Sequence, residues 1–501
     1  MKVTELITEL VRIGEKGANV ARIIRSEHAL LDLLVQEKTG EQKNERFVQD
    51  FKTLADVLVQ EIVSHDLSLK FPGVKNSIYG EESNKFTNAL GETITVQILS
   101  SPAETSDLLC KVLNGNEEAS NLLAKVVHED VECDPGEKIN NIGSLEINEE
   151  DIAVWIDPID STAQYIDGEI GIPNSLGFVR SGLQCACVLI GLYSKHTGLP
   201  LAGIINQPFA FQDEKSGSNW GLNIEGHSVY STTDSSVHEA ESKHILLTSE
   251  SDMLETKDKF SQVYKIHHAA GAGYKLLCVL QGLADAYVLS KDSTFKWDTC
   301  APHSLLLAQG GGIISYKSLC SIAENDFSTL KNLDKCQIVY GMGDNLDSHR
   351  AKDWCNTDGI VAYRSYESLK RLVCAIKGKG IKYISNLIFC SVYTITLYYV
   401  VSKYTCNISL NSVIESAYFL IIADVLIVPG AALGFANVTN CDFFFSFGEK
   451  ILRLAIFLAP RFYSVKRCMH VLNLSVIGDC IIKDPLLASM DVNTRVLCSI
   501  Q

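Results

Sequence analysis

Trp155-Ile-Asp157-Pro-Ile-Asp160-Ser-Thr162 sets two carboxylates, a main-chain carbonyl and two hydroxyls around one bend. The apolar run Ile152 to Ile156 has the length and composition of a buried strand. Asp-Pro fixes φ and removes a ladder donor, which predicts that the strand ends there, with both aspartates just past it. Asp160, Ser161 and Thr162 favour a helix start, where free N–H groups face an anion. Two aspartates so close in sequence repel each other at neutral pH unless they are solvated or bridged by a divalent ion, and hard oxygen ligands select Mg²⁺. A turn residue followed by a helix cap is the plainer reading of the same letters.

A chain of 501 residues is long enough for two or three domains. Its formal net charge of −16, with no basic stripe, argues against a nucleic-acid backbone as partner. A phosphate substrate would then need metal ions to neutralise its site. The 16 cysteines are scattered, and Cys185 and Cys187 have no His or Cys cluster beside them to make a zinc site. They read as reduced thiols of a cytoplasmic protein. The first turns, Met-Lys-Val-Thr-Glu-Leu, lack the apolar core of a signal peptide.

Outward from the central stretch, apolar spacing over residues 3 to about 36 predicts two amphipathic helices on either side of Gly14 to Gly17, carrying Leu30 and Leu34 in the second. Thr53 and Asp56 have the spacing of a capping box, which gives Asp56 a local role. Ser77-Ile-Tyr-Gly80-Glu81-Glu82 reads as a short strand ending in two acids. An exposed, solvated pair is the common case, but at a strand end both can turn toward one cation cluster. Residues 128 to 151 read as an exposed loop. The runs beginning at Ser175, Cys185 and Leu201 read as successive strands, and the polar residues 212 to 243 as a surface excursion and boundary. A new α/β unit begins at Ile245. Ala269-Ala-Gly271-Ala-Gly273-Tyr-Lys275 follows the His267-His268 pair at a strand-to-helix junction, where N–H groups and Lys275 could hold a phosphorylated ring; a plain glycine turn fits as well. Asp298 is expected to cap a helix starting near Thr299, with Pro302 in its first turn.

Taken in order, Asp56, Glu81-Glu82, Asp157-Pro-Ile-Asp160-Ser-Thr162 and Trp297-Asp298 resemble the signature of the lithium-sensitive, magnesium-dependent phosphomonoesterases, the superfamily of inositol monophosphatase and fructose-1,6-bisphosphatase. The stretches Asp50 to Glu61, Gly80 to Asn84, Ala269 to Lys275 and Phe295 to Asp298 are most similar to its inositol polyphosphate branch. Ser161, where monophosphatases and nucleotidases usually carry glycine, points the same way. The resemblance runs from the N-terminus to about Ala375.

It implies an α/β fold, a layered α-β-α-β-α sandwich of the sugar-phosphatase type. The two subdomains would be residues 1–243 and 244–377, with the active site between them. It implies two or three Mg²⁺ ions. Glu81, Asp157 and the carbonyl of Ile159 would hold one, Asp157, Asp160 and Asp298 a second, and Glu82 would help with a weaker third. Thr162, hydrogen-bonded to Asp56, would orient and deprotonate a water activated by metal for in-line attack. Asp160, Ser161, Thr162, Ser249, Gly271, Ala272 and Lys275 would grip the substrate. The implied reaction removes the 1-phosphate from inositol 1,4-bisphosphate and inositol 1,3,4-trisphosphate and is inhibited by Li⁺. A 3′(2′),5′-bisphosphate nucleotidase is the nearest alternative, and a catalytically silent, membrane-tethered binding protein the alternative from another class.

From about residue 378 the character changes. Ile384 to Val401 is uncharged between Lys382 and Lys403, and Tyr418 to Ala436 is apolar but broken by Asp424 and Pro429. This atypical hydrophobic extension, residues 378–501, reads as a membrane anchor, an extra packed domain, or a non-native tail such as translated intron. Its lack of clean helical or strand periods favours the last and predicts poor packing.

Overall fold

A computed structural model of the chain describes residues 1–26, 35–38, 51–88, 90–210, 217–232, 244–324, 336–341 and 351–377. The extension from residue 378 and the positions of Leu30 and Leu34 lie outside them. In chain order the elements are α1 (Val3–Ser26), β1 (Val35–Glu37), β2 (Phe51–Thr53), α2 (Leu54–Lys70), β3 (Ile78–Gly80), β4 (Lys85–Thr87), β5 (Thr93–Thr95), α3 (Pro102–Val112) and α4 (Glu117–His128). Then come β6 (Ile152–Asp160), α5 (Thr162–Asp167), β7 (Cys187–Ser194), β8 (Pro200–Gln207), β9 (Gly217–Ile224), β10 (His227–Thr232), β11 (Ile245–Thr248), α6 (Leu254–Ser261) and β12 (Lys265–His268). The remainder is α7 (Ala272–Leu280), β13 (Ala286–Leu289), α8 (Lys296–Ala308), β14 (Gly312–Ile314), α9 (Tyr316–Glu324), β15 (Ile360–Tyr363) and α10 (Tyr366–Ile376).

Three apolar cores separate these elements into five layers. The first core joins α1 and α2 to one face of a six-stranded sheet, ordered β10-β9-β8-β7-β6-β3. The second joins the other face of that sheet, through α7 and α8, to a five-stranded sheet ordered β12-β11-β13-β15-β14. The third covers the far face of the second sheet with α6, α9 and α10. The layer order is α-β-α-β-α, as expected.

Several local expectations need correction. The first apolar stripe forms a single helix, because Gly14 and Gly17 mark close packing rather than a break. A Cβ on Gly14 would lie 3.0 Å from Ile204 of β8, and one on Gly17 3.1 Å from Val59 of α2. Residues 175–177 form a turn and a bend, and 178–179 are not in a strand. Residues 217–232, expected on the surface, are β9 and β10 of the first sheet. Their small polar letters belong to a stripe of glycines in cross-strand register, Gly191↔Gly203↔Gly221. Added Cβ atoms there would meet Ala301 N at 2.4 Å, Ala301 Cα at 2.8 Å and Leu305 Cα at 3.0 Å. Only a sheet without side chains along that row lets α8 lie flat on it.

The central strand also departs from expectation. β6 does not stop at Asp157-Pro158 but continues to Asp160 through an irregularity that skips Pro158 and Ile159 in the pairing with β7. Proline is tolerated at a bulge because no ladder bond is lost there. The bulge re-aims the chain, and Asp157 and Asp160 come to share one side of it.

Candidate active site

Each acid is delivered by a different local device. β3 runs parallel to β6 with Gly80 opposite Ile156, so Glu81 and Asp157 leave neighbouring strand ends together. The Glu81 N–H donates to the Ile156 carbonyl at 3.1 Å. Asp298 is not the cap of its helix: α8 starts at Lys296, and the Asp298 carboxylate, one turn in, accepts from the Phe295 N–H at 2.6 Å. Pro302 therefore falls in the second turn. The start of α8 is fixed from outside, since Asn356 Nδ2 donates to the Phe295 carbonyl at 3.0 Å and to Thr294 Oγ1 at 3.2 Å.

Behind these segments sits an aromatic cluster. The Trp155 ring lies 5.4 Å from Tyr79, 5.9 Å from Trp297 and 5.4 Å from Trp354, centroid to centroid. Its indole N–H donates to the Tyr340 carbonyl at 3.1 Å. One residue of this cluster precedes each of Glu81, Asp157 and Asp298 by one or two positions, so the three acid-bearing segments are packed against a common rigid body.

Among the described residues, Asp157, Asp160 and Asp298 form one group in which one carboxylate oxygen from each lies within 4.8 Å of the others, and all three are buried. Burial, then repulsion from Glu81, Asp160 and Asp298, holds Asp157 well above the ordinary carboxylate range. Asp298 is raised likewise, by burial and then by Asp160 and Glu81. Asp160 reaches about 6 through burial, opposed by Lys275 and by two main-chain donors. Those donors are Ala272 N–H at 3.2 Å and Gly273 N–H at 2.9 Å, at the start of α7. The approach is close: a Cβ on Gly271 (φ +73°) would lie 2.2 Å from Ser161 Oγ, and one on Gly273 3.0 Å from Asp160. Ala272 and Gly273 are thus spent on seating Asp160, with Gly271 packed against it. Lys275 is buried, with Nζ donating to the carbonyls of Ala269 (3.0 Å) and Gly271.

Asp56 has the expected capping box, accepting from Thr53 N–H at 2.7 Å and Thr53 Oγ1 at 2.6 Å on one carboxylate oxygen. Its other oxygen, Oδ1, is buried without a hydrogen-bond partner among the described residues, as are Asp157 Oδ1 and Ser161 Oγ. Burial raises Asp56 to about 6. The expected Thr162–Asp56 hydrogen bond is absent: Thr162 Oγ1 donates instead to the Ile159 carbonyl at 3.0 Å. Ser161 sits at φ +72°, a left-handed conformation that glycine adopts freely and serine does not. Ser249 directly follows β11, its hydroxyl 3.0 Å from that of Ser251.

Glu81 and Glu82 both turn toward one cation, as the strand-end reading allowed, and that cation is Lys38. Its Nζ lies 2.7 Å from Glu81 Oε1 and also contacts Glu82. Glu82 is nonetheless raised to about 8, because burial outweighs Lys38. Gln60 clamps the main chain here, accepting from the Glu82 N–H at 2.9 Å and donating to its carbonyl. Sequence reading missed Lys38, Gln60 and Asn356. Gln60 had a signal, since it lies one helical turn from Asp56 on the same face of α2; Lys38 and Asn356 had none.

A buried, all-oxygen acid cluster beside hydroxyls is the donor chemistry of a hard divalent cation. The sequence model described as the inositol monophosphatase family matches residues 9–330. The chain belongs to this family. Inositol polyphosphate 1-phosphatase of Mus musculus is 43% identical over 390 residues, covering 73% of this chain and 95% of the mouse protein. That of Homo sapiens is 42% identical over 394 residues, covering 73% and 96%. The 3′(2′),5′-bisphosphate nucleotidase 1 of Rattus norvegicus is 29% identical over 311 residues, covering 61% and 81%. Among solved structures, the extragenic suppressor protein suhB of Bartonella henselae aligns with TM-score 0.41 at 15% identity, covering 74% of this chain and 98% of that one. An IMPase/NADP phosphatase complexed with Mg²⁺ and phosphate aligns with TM-score 0.40 at 14% identity, covering 74% and 96%. Those two alignments are too distant to bear on the chemistry; membership rests on the family match and the mammalian relatives. As a member of the inositol monophosphatase family, the chain is a phosphoric monoester hydrolase.

Proposed function

We propose that this hydrolase removes the 1-phosphate from inositol 1,4-bisphosphate and inositol 1,3,4-trisphosphate, activated by Mg²⁺ and inhibited by Li⁺, in the cytoplasm. The observation that carries the reading is the buried triangle of Asp157, Asp160 and Asp298 with unpartnered oxygens on Asp157 and Asp56 beside it. The relatives at 42–43% identity support the substrate class.

Orphaned buried carboxylate oxygens are costly unless a cation or water completes them, so the residues present fit Mg²⁺. Asp157, Asp160 and Asp298 would hold one ion, and Glu81, Asp157 and the Ile159 carbonyl another, with Glu82 nearby. When bound, the ions supply Lewis acidity and charge for the phosphoryl group. The chain's own groups do the rest. The helix carrying Thr162 packs against β2, whose last residue, Thr53, seats Asp56. Turning the Thr162 hydroxyl from Ile159 toward Asp56 Oδ1 would free the Ile159 carbonyl for a ligand. It would also give the attacking water's proton a route from Thr162 to Asp56, which is poised at about 6. Ser161 Oγ, buried and without a partner among the described residues, is a free hydroxyl for a phosphate oxygen.

The test is phosphate release by the full chain from inositol 1,4-bisphosphate, inositol 1,3,4-trisphosphate and 3′,5′-adenosine bisphosphate, with Mg²⁺, EDTA or added Li⁺. Release from the inositol phosphates that EDTA abolishes and Li⁺ inhibits is the expected result. Preference for the nucleotide would establish the nucleotidase reading instead, and no release from any substrate would leave the silent binding protein.

A further inference from the structure

The parallel strands β12, β11 and β13 end side by side on the site's flank, at His268, Thr248 and Leu289. Crevices at the carboxyl ends of parallel strands are where α/β sheets receive ligands. Gly271 follows β12 by three residues, and β11 lies one strand spacing away, about 5 Å. The loop after β11, Ser249-Glu250-Ser251-Asp252, therefore sits beside the residues that touch Ser161 and Asp160.

Three cations converge on this loop. Arg180 Nη2 lies 2.6 Å from Glu250 Oε1. Lys257 Nζ donates to the Glu250 carbonyl at 2.8 Å, and Lys291 Nζ to the Ser251 carbonyl. Among the described residues, neither lysine is ion-paired with a carboxylate. Asp252, the loop's other acid, is turned inward to Thr248 Oγ1 (3.1 Å) and to the Ser290 hydroxyl and N–H. Three cations thus meet a loop whose outward carboxylate is Glu250.

Arg180 is also aimed. It lies on a strap whose Val179 N–H donates to Tyr274 Oη of α7 at 3.0 Å, and its own carbonyl accepts from Ala270 N–H at 2.9 Å, one residue before Gly271. The backbone is fixed against the active-site turn, while the side chain is 69% exposed and, among the described residues, is held by Glu250 alone. An exposed pair of this kind adds little stability and is readily exchanged for a better anion. A phosphate dianion offers a guanidinium a bidentate, more highly charged partner.

We propose that Arg180 and Lys291 form a subsite for the substrate's second phosphate, the one not cleaved, with Lys257 holding the loop and Glu250 occupying Arg180 until that phosphate displaces it. This rests on the inositol bisphosphate reading above. It makes Arg180 a residue that selects bisphosphates over monophosphates.

The test compares the full chain with R180Q, R180K, K291Q and E250Q, measuring KM for inositol 1,4-bisphosphate against the KM, or the competitive inhibition constant, of inositol 1-phosphate. R180Q is expected to weaken the bisphosphate by about tenfold relative to the monophosphate, the loss typical of one charge-assisted hydrogen bond. K291Q should shift the ratio the same way, R180K should restore part of it, and E250Q should move it in the opposite direction. Unaltered thermal midpoints would separate these effects from misfolding. A ratio within twofold of the parent in R180Q and K291Q overturns the subsite while leaving the function intact. Failure of the unsubstituted enzyme to release phosphate from the bisphosphate overturns the function, and the subsite with it.

Discussion

Asp157, Asp160 and Asp298 differ from Glu81 and Glu82 in one respect that governs the chemistry: the glutamates already have a cation. Lys38 contacts both of them. Asp160 and Asp298 are held by main-chain donors, and the buried Lys275 donates to carbonyls instead. Repulsion within the triangle is only partly offset by Lys275 and the main-chain donors and is available to a divalent ion, whereas an ion bound through Glu81 must replace a lysine contact. The expectation is an ordered site, with the triangle as the preformed part.

The strongest way to break this contrast is Asp157→Asn. It should lower Mg²⁺-dependent kcat by about 10³-fold, the upper range for one preorganised electrostatic group. It should also raise the thermal midpoint of the metal-free protein, because a buried like charge is gone. Near-normal turnover would remove Asp157 from the metal site. Gly203→Val perturbs the triangle from behind: its Cβ would come within 2.8 Å of Ala301 Cα and Ser304 Oγ, pushing α8 and Asp298 but not Lys38. A destabilisation of about 2 kcal/mol and a several-fold higher Mg²⁺ half-saturation should follow, measured by denaturant melts and initial rates. Lys38→Met removes the competitor and should lower Mg²⁺ half-saturation by about threefold, a modest change because the Asp157, Asp160 and Asp298 triangle keeps its own ligands. A rise would mean that Lys38 works alongside the ion.

The smallest expected effect is on pH. Asp56 and Asp160 are raised from 3.8 to about 6 and Glu82 from 4.5 to about 8. The folded metal-free chain therefore binds more protons than the unfolded chain, and its stability falls as pH rises through that window. Thermal midpoints in EDTA should drop by a few degrees between about pH 5 and about pH 8. Mg²⁺ should oppose the drop, since it favours the deprotonated acids. A midpoint that climbs with pH in EDTA would place compensating cations in the triangle.

Much of the site was legible because its devices are local. The Thr53–Asp56 box, the strand before Asp157 and the glycine junction at Gly271 depend on neighbours within a few residues. The errors arose where a distant partner decides. Phe295 is a poor helix cap by type, and α8 begins there because Asn356, 61 positions later, binds its carbonyl. Pro158 reads as a strand stop, but the bulge against β7 accommodates it. Gly217 to Thr232 reads as polar loop, yet the glycine row needs those residues as strands beneath α8.

The sequence by itself determined which acids exist, which of them cap helices and which follow strands, because those properties are set by side-chain chemistry and backbone preference over one or two turns. Only the tertiary structure decided that Asp157, Asp160 and Asp298 meet within 4.8 Å while Glu81 and Glu82 meet Lys38. Those distances follow from how closely α8 can approach a sheet stripped of side chains, and from the bulge that turns β6. Both are consequences of packing between segments far apart in the chain, on which no local pattern reports.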